Sequence, residues 1–208
     1  MLVRHQKQMR DMKVREIFYS IQGEGGRVGE ASIFIRLANC NLNCWFCDTD
    51  WSYGDEMTID EIKKEISKYN CEWIVWTGGE PTLQLTDDIL KEFVEYRHAI
   101  ETNGTNPVPD EIEYITVSPK KEVSLETLHN NFSYVDEFRY VYDGITQKLP
   151  NIDTLPLAEN YYISPMFLGE KKKRFDLDVD SVASAIQFVK DDPRWKFSLQ
   201  VQKIINVR

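Results

Sequence analysis

Three of the four cysteines fall within eight residues, in Cys40-Asn41-Leu42-Asn43-Cys44-Trp45-Phe46-Cys47. Thiolates at this C-x3-C-x2-C spacing, on one short loop, can hold three corners of a cubic iron–sulfur cluster. A cluster held wholly by protein takes four thiolates. With three, one iron keeps an open position for a chelating ligand, as a catalytic zinc does. Two other cysteine chemistries compete. A structural zinc would need a fourth ligand, from Cys71 or one of the three histidines, and no second C-x2-C or H-x3-H knuckle exists. A disulfide pair suits a secreted chain, but the residues from Met1 to Gln8 carry no apolar signal core.

The loop must be positioned by regular elements, and their pattern is readable. Residues 14–19 alternate as a strand, and residues 31–37 form a second, buried strand that delivers the cysteines. Between them, Ser20 to Gly26 is glycine-rich. No Lys-Ser/Thr follows it, so it is not a phosphate loop. It reads as a hairpin turn, or as a loop aiming Gln22 and Glu24 at a small polar ligand. Thr58 to Tyr69 reads as a helix, with Thr58 and Glu61 as a capping box and Ile59, Ile62 and Ile66 on one face. Trp73 to Thr77 is an apolar strand ended by Gly78-Gly79-Glu80-Pro81, and Thr86 caps the next helix.

Strands at 98–102 and at Tyr114 to Val117 run into Glu101-Thr102-Asn103-Gly104 and Ser118-Pro119-Lys120. A helix near 122–130, a strand near 134–141, a turn-rich stretch over 143–157 and a strand from Tyr161 to Ile163 follow. Lys171 to Arg174 is a basic run, read as a solvated loop or an anion site. A helix from Asp178 or Asp180 to about Lys190 and a last strand from Phe197 to Val201 close the chain. Strands alternating with helices indicate an α/β chain with a largely parallel sheet. Each polar motif follows a strand, which places it at the carboxyl end, where such folds put their sites. A complete eight-stranded barrel takes about 250 residues; 208 residues suggest an open, partial one. Residues 1–12 read as a flexible leader and 13–208 as a single domain.

Composition narrows the partners. A net charge of -9 argues against a nucleic-acid partner. No apolar run approaches the ~18 residues of a membrane span. Free cysteines without a signal segment suit the cytoplasm.

The cysteine spacing, with Phe46 before the third cysteine, resembles the radical S-adenosylmethionine (SAM) superfamily, and Gly78-Gly79-Glu80-Pro81 matches its glycine-rich motif. Further stretches sharpen the likeness: Phe18 to Gly25, Cys47-Asp48-Thr49, Trp76 to Pro81, Ser118-Pro119-Lys120 and Ser198-Leu199-Gln200-Val201-Gln202-Lys203. Together they resemble the 7-carboxy-7-deazaguanine synthase family over about residues 13–208. The resemblance implies a partial (β/α)6-like barrel. It implies a [4Fe–4S] cluster on Cys40, Cys44 and Cys47, and SAM held by Phe46, Gly79, Glu80, Glu101, Asn103, Ser118, Pro119 and Lys120. Mg2+ would sit on Thr49, and a pterin substrate would meet Ile21, Gln22, Gly23, Glu24, Arg36 and Thr77.

The implied reaction is a lyase step of queuosine and 7-deazapurine biosynthesis. It converts 6-carboxy-5,6,7,8-tetrahydropterin to 7-carboxy-7-deazaguanine with loss of ammonia. The likeness also implies a homodimer and an external, flavodoxin-like electron donor. In one respect the chain departs. Many relatives end in Leu-Gln-Thr-His-Lys, where this chain has Leu-Gln-Val-Gln-Lys, so Gln202 can position a group but cannot titrate as a histidine would. Two alternatives remain at this level: a glycyl-radical-enzyme activating protein, which acts on a protein substrate, and a zinc-stabilised binding module.

Overall fold

The computed structural model describes residues 11–142, 144, 148–166 and 179–207. The first strand, β1 (Met12–Ile21), pairs antiparallel with β2 (Ala31–Leu37), so residues 22–30 do form a hairpin connection. A short strand β3 (Asp55–Met57) lies on the outer side of β1. Its sequence Asp-Glu-Met gives no strand signal, and pairing with Met12 to Val14 supplies the order. Met12, expected in the leader, is 1% exposed and opens β1.

From β2 onward the strands run parallel and in chain order. They are β4 (Trp73–Gly78), β5 (Arg97–Thr102), β6 (Tyr114–Val117), β7 (Tyr134–Tyr142), β8 (Leu157–Pro165) and β9 (Trp195–Phe197), completing a nine-stranded open sheet. Crossovers carry α1 (Ile59–Ile66), the single turn α2 (Asp87–Leu90), α3 (Leu125–Asn131) and α4 (Val179–Asp191). The β5–β6 crossover is a loop without a helix, so the barrel is reduced as well as open. The expected basic run Lys171 to Arg174 lies outside the described residues.

The sequence explains α1 directly. The Thr58 hydroxyl accepts from the Glu61 N–H, and the Glu61 carboxylate accepts from the Thr58 N–H at 2.8 Å. Ile59, Ile62 and Ile66 then pack on Ile33, Ile35, Leu37, Ile74 and Trp76 of the sheet's outer face. Strand side chains alternate between faces, so the residues between these point inward. The parallel register lays the inward residues in a row, pairing Arg36 with Thr77, Glu101 with Thr116, and Thr116 with Glu137.

The last strand departs from expectation. It ends at Phe197, and α5 (Val201–Ile205) follows instead of a strand through Val201. The Ser198 N–H still reaches the Ile163 carbonyl, but the Ser198 hydroxyl accepts from Gly25 N–H and the Val201 N–H donates to the Gly23 carbonyl. The hairpin loop therefore draws this segment out of the sheet.

His98 is 4% exposed on β5 and accepts a 3.2 Å hydrogen bond from the Trp76 indole through Nδ1. Burial lowers its pKa, so the folded state holds it neutral. Unfolded histidine titrates near about 6.5. The neutral ring thus contributes stability above that pH, and the contribution is lost as pH falls below it. Between about pH 7.5 and 5.5 the urea midpoint should decline, and His98→Gln should flatten that decline. Equal slopes in both proteins would remove His98 from the pH dependence.

Candidate active site

The cysteine loop leaves the carboxyl end of β2 and is pinned by its neighbours. Gly79 N–H donates to the Leu37 carbonyl at 2.9 Å, and Glu80 N–H to the Asn39 carbonyl at 2.8 Å. A methyl group at Gly79 would fall on the Asn39 carbonyl, so only glycine lets the two backbones approach this closely. Glu80 is fully buried. One of its oxygens accepts from Thr82 N–H, the Thr82 hydroxyl and the Thr102 hydroxyl; the other accepts from Asn103 N–H at 2.7 Å. The Asn103 amide in turn donates to Asn41 at 3.0 Å. Glu80 was expected to contact a ligand. Its oxygens are instead engaged inside the wall, where they fasten the end of β4 to the end of β5.

The three loop cysteines line one cavity of about 290 Å³. Burial raises the thiol pKa of Cys40, with Glu80 and Cys47 adding to the rise. Burial also raises that of Cys44, against the pull of Lys120. Among the described residues, no three His, Cys, Asp or Glu side chains are gathered closely enough for a single metal ion. A cluster, whose thiolates sit on different irons, asks for wider spacing. Cys71 cannot join them. It precedes β4, at the opposite end of the strand from Gly78, and its thiol donates toward the Ala31 carbonyl at 3.3 Å.

The cavity floor comes from the hairpin loop. Ile21 pairs with Ala31, so residues 22–30 lie where the parallel strands begin, and Gln22 and Glu24 line the cavity from that end. Gly25 has φ +71, and a Cβ there would meet the Glu137 carboxylate, so the tight floor needs glycine. Gln22 donates to Glu101 at 3.2 Å, and the Thr77 hydroxyl donates to the same carboxylate at 2.8 Å. Gln200 and Gln202 both donate to Glu24 Oε1, at 2.9 and 3.1 Å.

Arg139, on β7, joins these groups. It donates to Glu101 at 2.8 Å and lies 3.6 Å from Glu24 and 3.7 Å from Glu137. Burial alone would raise the Glu101 pKa, but the Arg139 charge and hydrogen bonds from Arg139, Thr77 and Gln22 hold it down at about 2. Sequence reading missed both Glu137 and Arg139. Their signal was Glu137 and Arg139 at alternate positions of the aromatic-rich strand Tyr134–Tyr142, on the face opposite Asp136, Phe138 and Tyr140.

Of the expected residues, Ile21, Gln22, Gly23, Glu24, Arg36, Phe46, Thr77, Gly79, Glu101, Asn103, Ser118 and Lys120 all line this cavity. Pro119 lies between two of them without lining it. Thr49 sits behind Arg36. Its hydroxyl accepts from Arg36 Nη1 at 3.2 Å and donates to Asp48 at 3.4 Å. Asp48 is exposed by surface area, and although desolvation works to raise its pKa, Lys203 and Arg36 hold it below the ordinary value. Among the described residues, no helix is long and apolar enough to cross a membrane.

A family model described as the radical SAM superfamily matches residues 34–139, from β2 through Arg139 on β7. Membership implies a [4Fe–4S] cluster and SAM, and the donors present fit both: three soft thiols on one loop, with backbone and polar side chains beside them. The 7-carboxy-7-deazaguanine synthase of Bacteroides thetaiotaomicron is 40% identical over 199 residues, covering 94% of this chain and 98% of that protein. The protein of the same name from Haemophilus influenzae is 31% identical over 204 residues, covering 95% and 94%. The crystal structure of QueE from Escherichia coli shares the fold, with a TM-score of 0.63 at 22% identity over 92% of this chain and 94% of that one. The match to the superfamily model and the near-complete overlap with these synthases show that the chain belongs to the 7-carboxy-7-deazaguanine synthase family of radical SAM proteins.

Proposed function

We propose that this chain converts 6-carboxy-5,6,7,8-tetrahydropterin to 7-carboxy-7-deazaguanine, with ammonia as the group lost. The observation that carries the reading is the polar row across the cavity. Arg36 on β2 and Glu101 on β5 lie two strands apart, roughly 10 Å at ordinary strand spacing. A cation at one side suits a substrate carboxylate. Carboxylates at the other suit the N–H groups of an aminopyrimidinone ring.

When bound, the cluster and SAM would supply the radical chemistry that removes hydrogen from C6 of the pterin. The protein's part is placement. Cys40, Cys44 and Cys47 hold the cluster. Gly79 offers its backbone to the SAM ammonium, and Ser118 and Lys120 meet its carboxylate, with Pro119 fixing the turn between them. Asn103 faces the ribose and Phe46 the adenine. Gln22, Glu24, Glu101 and Thr77 accept and donate along the ring edge, with Ile21 and Gly23 as its floor. Arg36, whose Nε is paired with Glu16 at 2.9 Å, adds its charge on the carboxylate's side of the pocket.

Thr49 would give Mg2+ one oxygen, with Asp48 adding negative charge beside it and substrate and water completing the shell. An external one-electron donor of the flavodoxin kind, a homodimer and a cytoplasmic setting are carried over from the family.

Incubating the reduced protein with SAM, Mg2+ and the pterin should give a product lighter by one ammonia. SAM cleavage with no pterin turnover, on protein with an intact cluster, would favour the protein-activating alternative. Cys40→Ala, Cys44→Ala and Cys47→Ala should each lose the broad absorbance near about 400 nm. Gly79→Ala should lower iron content as well, because the Asn39 carbonyl must move. Cys71→Ala should leave the spectrum intact; loss of its colour would make Cys71 a fourth cluster ligand and close the open iron position. Thr49→Val should raise the Mg2+ concentration needed for half-maximal turnover without changing iron content. Full turnover in the presence of a chelator would take the ion out of the site.

A further inference from the structure

We infer that Arg139 is the positioning residue of the substrate pocket, holding Glu24 and Glu101 together as two anionic acceptors for the N–H edge of the ligand. The inference rests on the pterin reading and adds a residue of the cavity lining that acts on the ligand through Glu24 and Glu101. Its basis is geometric. Arg139 is 6% exposed, on β7, beneath two carboxylates that come from different elements. Glu24 arrives from the floor loop and Glu101 from the end of β5. Both line the cavity.

Neighbouring carboxylates without a cation share a proton, because two like charges at close range cannot both persist. A protonated carboxyl becomes a donor and can no longer accept the ring N–H it faces. Among the described residues, Arg139 is the cation that forms an ion pair with both Glu24 and Glu101. Glu137, the third carboxylate at Arg139, is buried and already accepts from Gly26 N–H and the hydroxyls of Tyr114 and Thr116. Tyr114 and Tyr162 both have raised pKa values, so they remain neutral and supply no charge. Lys120 also lies within electrostatic reach of Glu24, and Lys203 donates to Gln200 beside it and is paired with Asp48. Lys120 stands on the SAM side, hydrogen-bonded to Ser118 at 2.7 Å. Gln200 and Gln202 steady Glu24 but are uncharged.

The test compares wild type, Arg139→Lys and Arg139→Met in the pterin assay from about pH 6 to 8, with iron content and circular dichroism confirming the fold. Wild-type KM for the pterin should be flat. Arg139→Met should raise KM roughly tenfold to hundredfold at the acid end and recover as pH rises, with kcat less affected. Arg139→Lys should restore the flat profile at an intermediate KM, since it keeps the charge without the fork. A KM profile for Arg139→Met parallel to that of wild type would overturn the inference while leaving the pterin reading standing. Wild type that turns over no pterin would instead overturn that reading.

Should Arg139→Met fail to fold, the wild-type holoenzyme still decides the matter. Its affinity for 6-carboxypterin, an oxidised analogue, should stay constant from about pH 7.5 to 5.5. A fall in affinity across that range would show that a pocket carboxylate gains a proton despite Arg139.

Discussion

Everything at the reactive end hangs on one close backbone contact. Gly79 and Glu80 lie against Leu37 and Asn39, and the cysteine loop starts from the residue after Asn39. Two strands paired in parallel would ordinarily diverge at their ends, where loops leave in different directions. Here the absence of a side chain at Gly79 lets the loops stay joined for another two hydrogen bonds. Glu80 then extends the joint to β5, accepting from Thr102 and Asn103. A buried carboxylate is tolerated because four donors replace its water. The cysteine loop thereby takes its position from the rigid sheet, although it has no regular structure of its own.

The other half of the pocket is set by charge. Placing three carboxylates inside a barrel would be prohibitive without a cation, and removing one partner of a buried set leaves the others uncompensated. Arg139 meets all three, and the hydroxyls and amides of Thr77, Thr116, Gln22, Gln200 and Gln202 fill their remaining lone pairs. The two halves differ in kind. The cluster end relies on backbone approach and soft thiols; the floor relies on carboxylates gathered around one buried guanidinium. Gln202, in the place where relatives often carry histidine, fits this second scheme as an amide donor to Glu24.

Local signals were legible in the sequence, and long-range partnerships were not. The Thr58–Glu61 box and the isoleucine stripe of α1 are written within nine residues, and the structure follows them. The cysteine spacing and the glycine motif likewise identify a chemistry without a fold. The resemblance places Glu80 at SAM because it belongs to the glycine-rich motif, whereas its partners Thr102 and Asn103 stand more than twenty residues away. Arg139 escaped notice because no motif surrounds it, and its meaning depends on Glu24, more than a hundred residues earlier. The end of β9 was misjudged for the same reason. Ser198 and Val201 bond to the floor loop, and no pattern within Phe197 to Val201 could announce that.

On the proposed function, the cluster end and the carboxylate floor act on one molecule, a pterin that is held by its ring edge and loses hydrogen at C6. Substrate deuterated at C6 tests this most directly. After turnover by the reduced holoenzyme, 5′-deoxyadenosine should carry the deuterium at its 5′ carbon. Unlabelled 5′-deoxyadenosine, formed while the pterin is consumed, would contradict it.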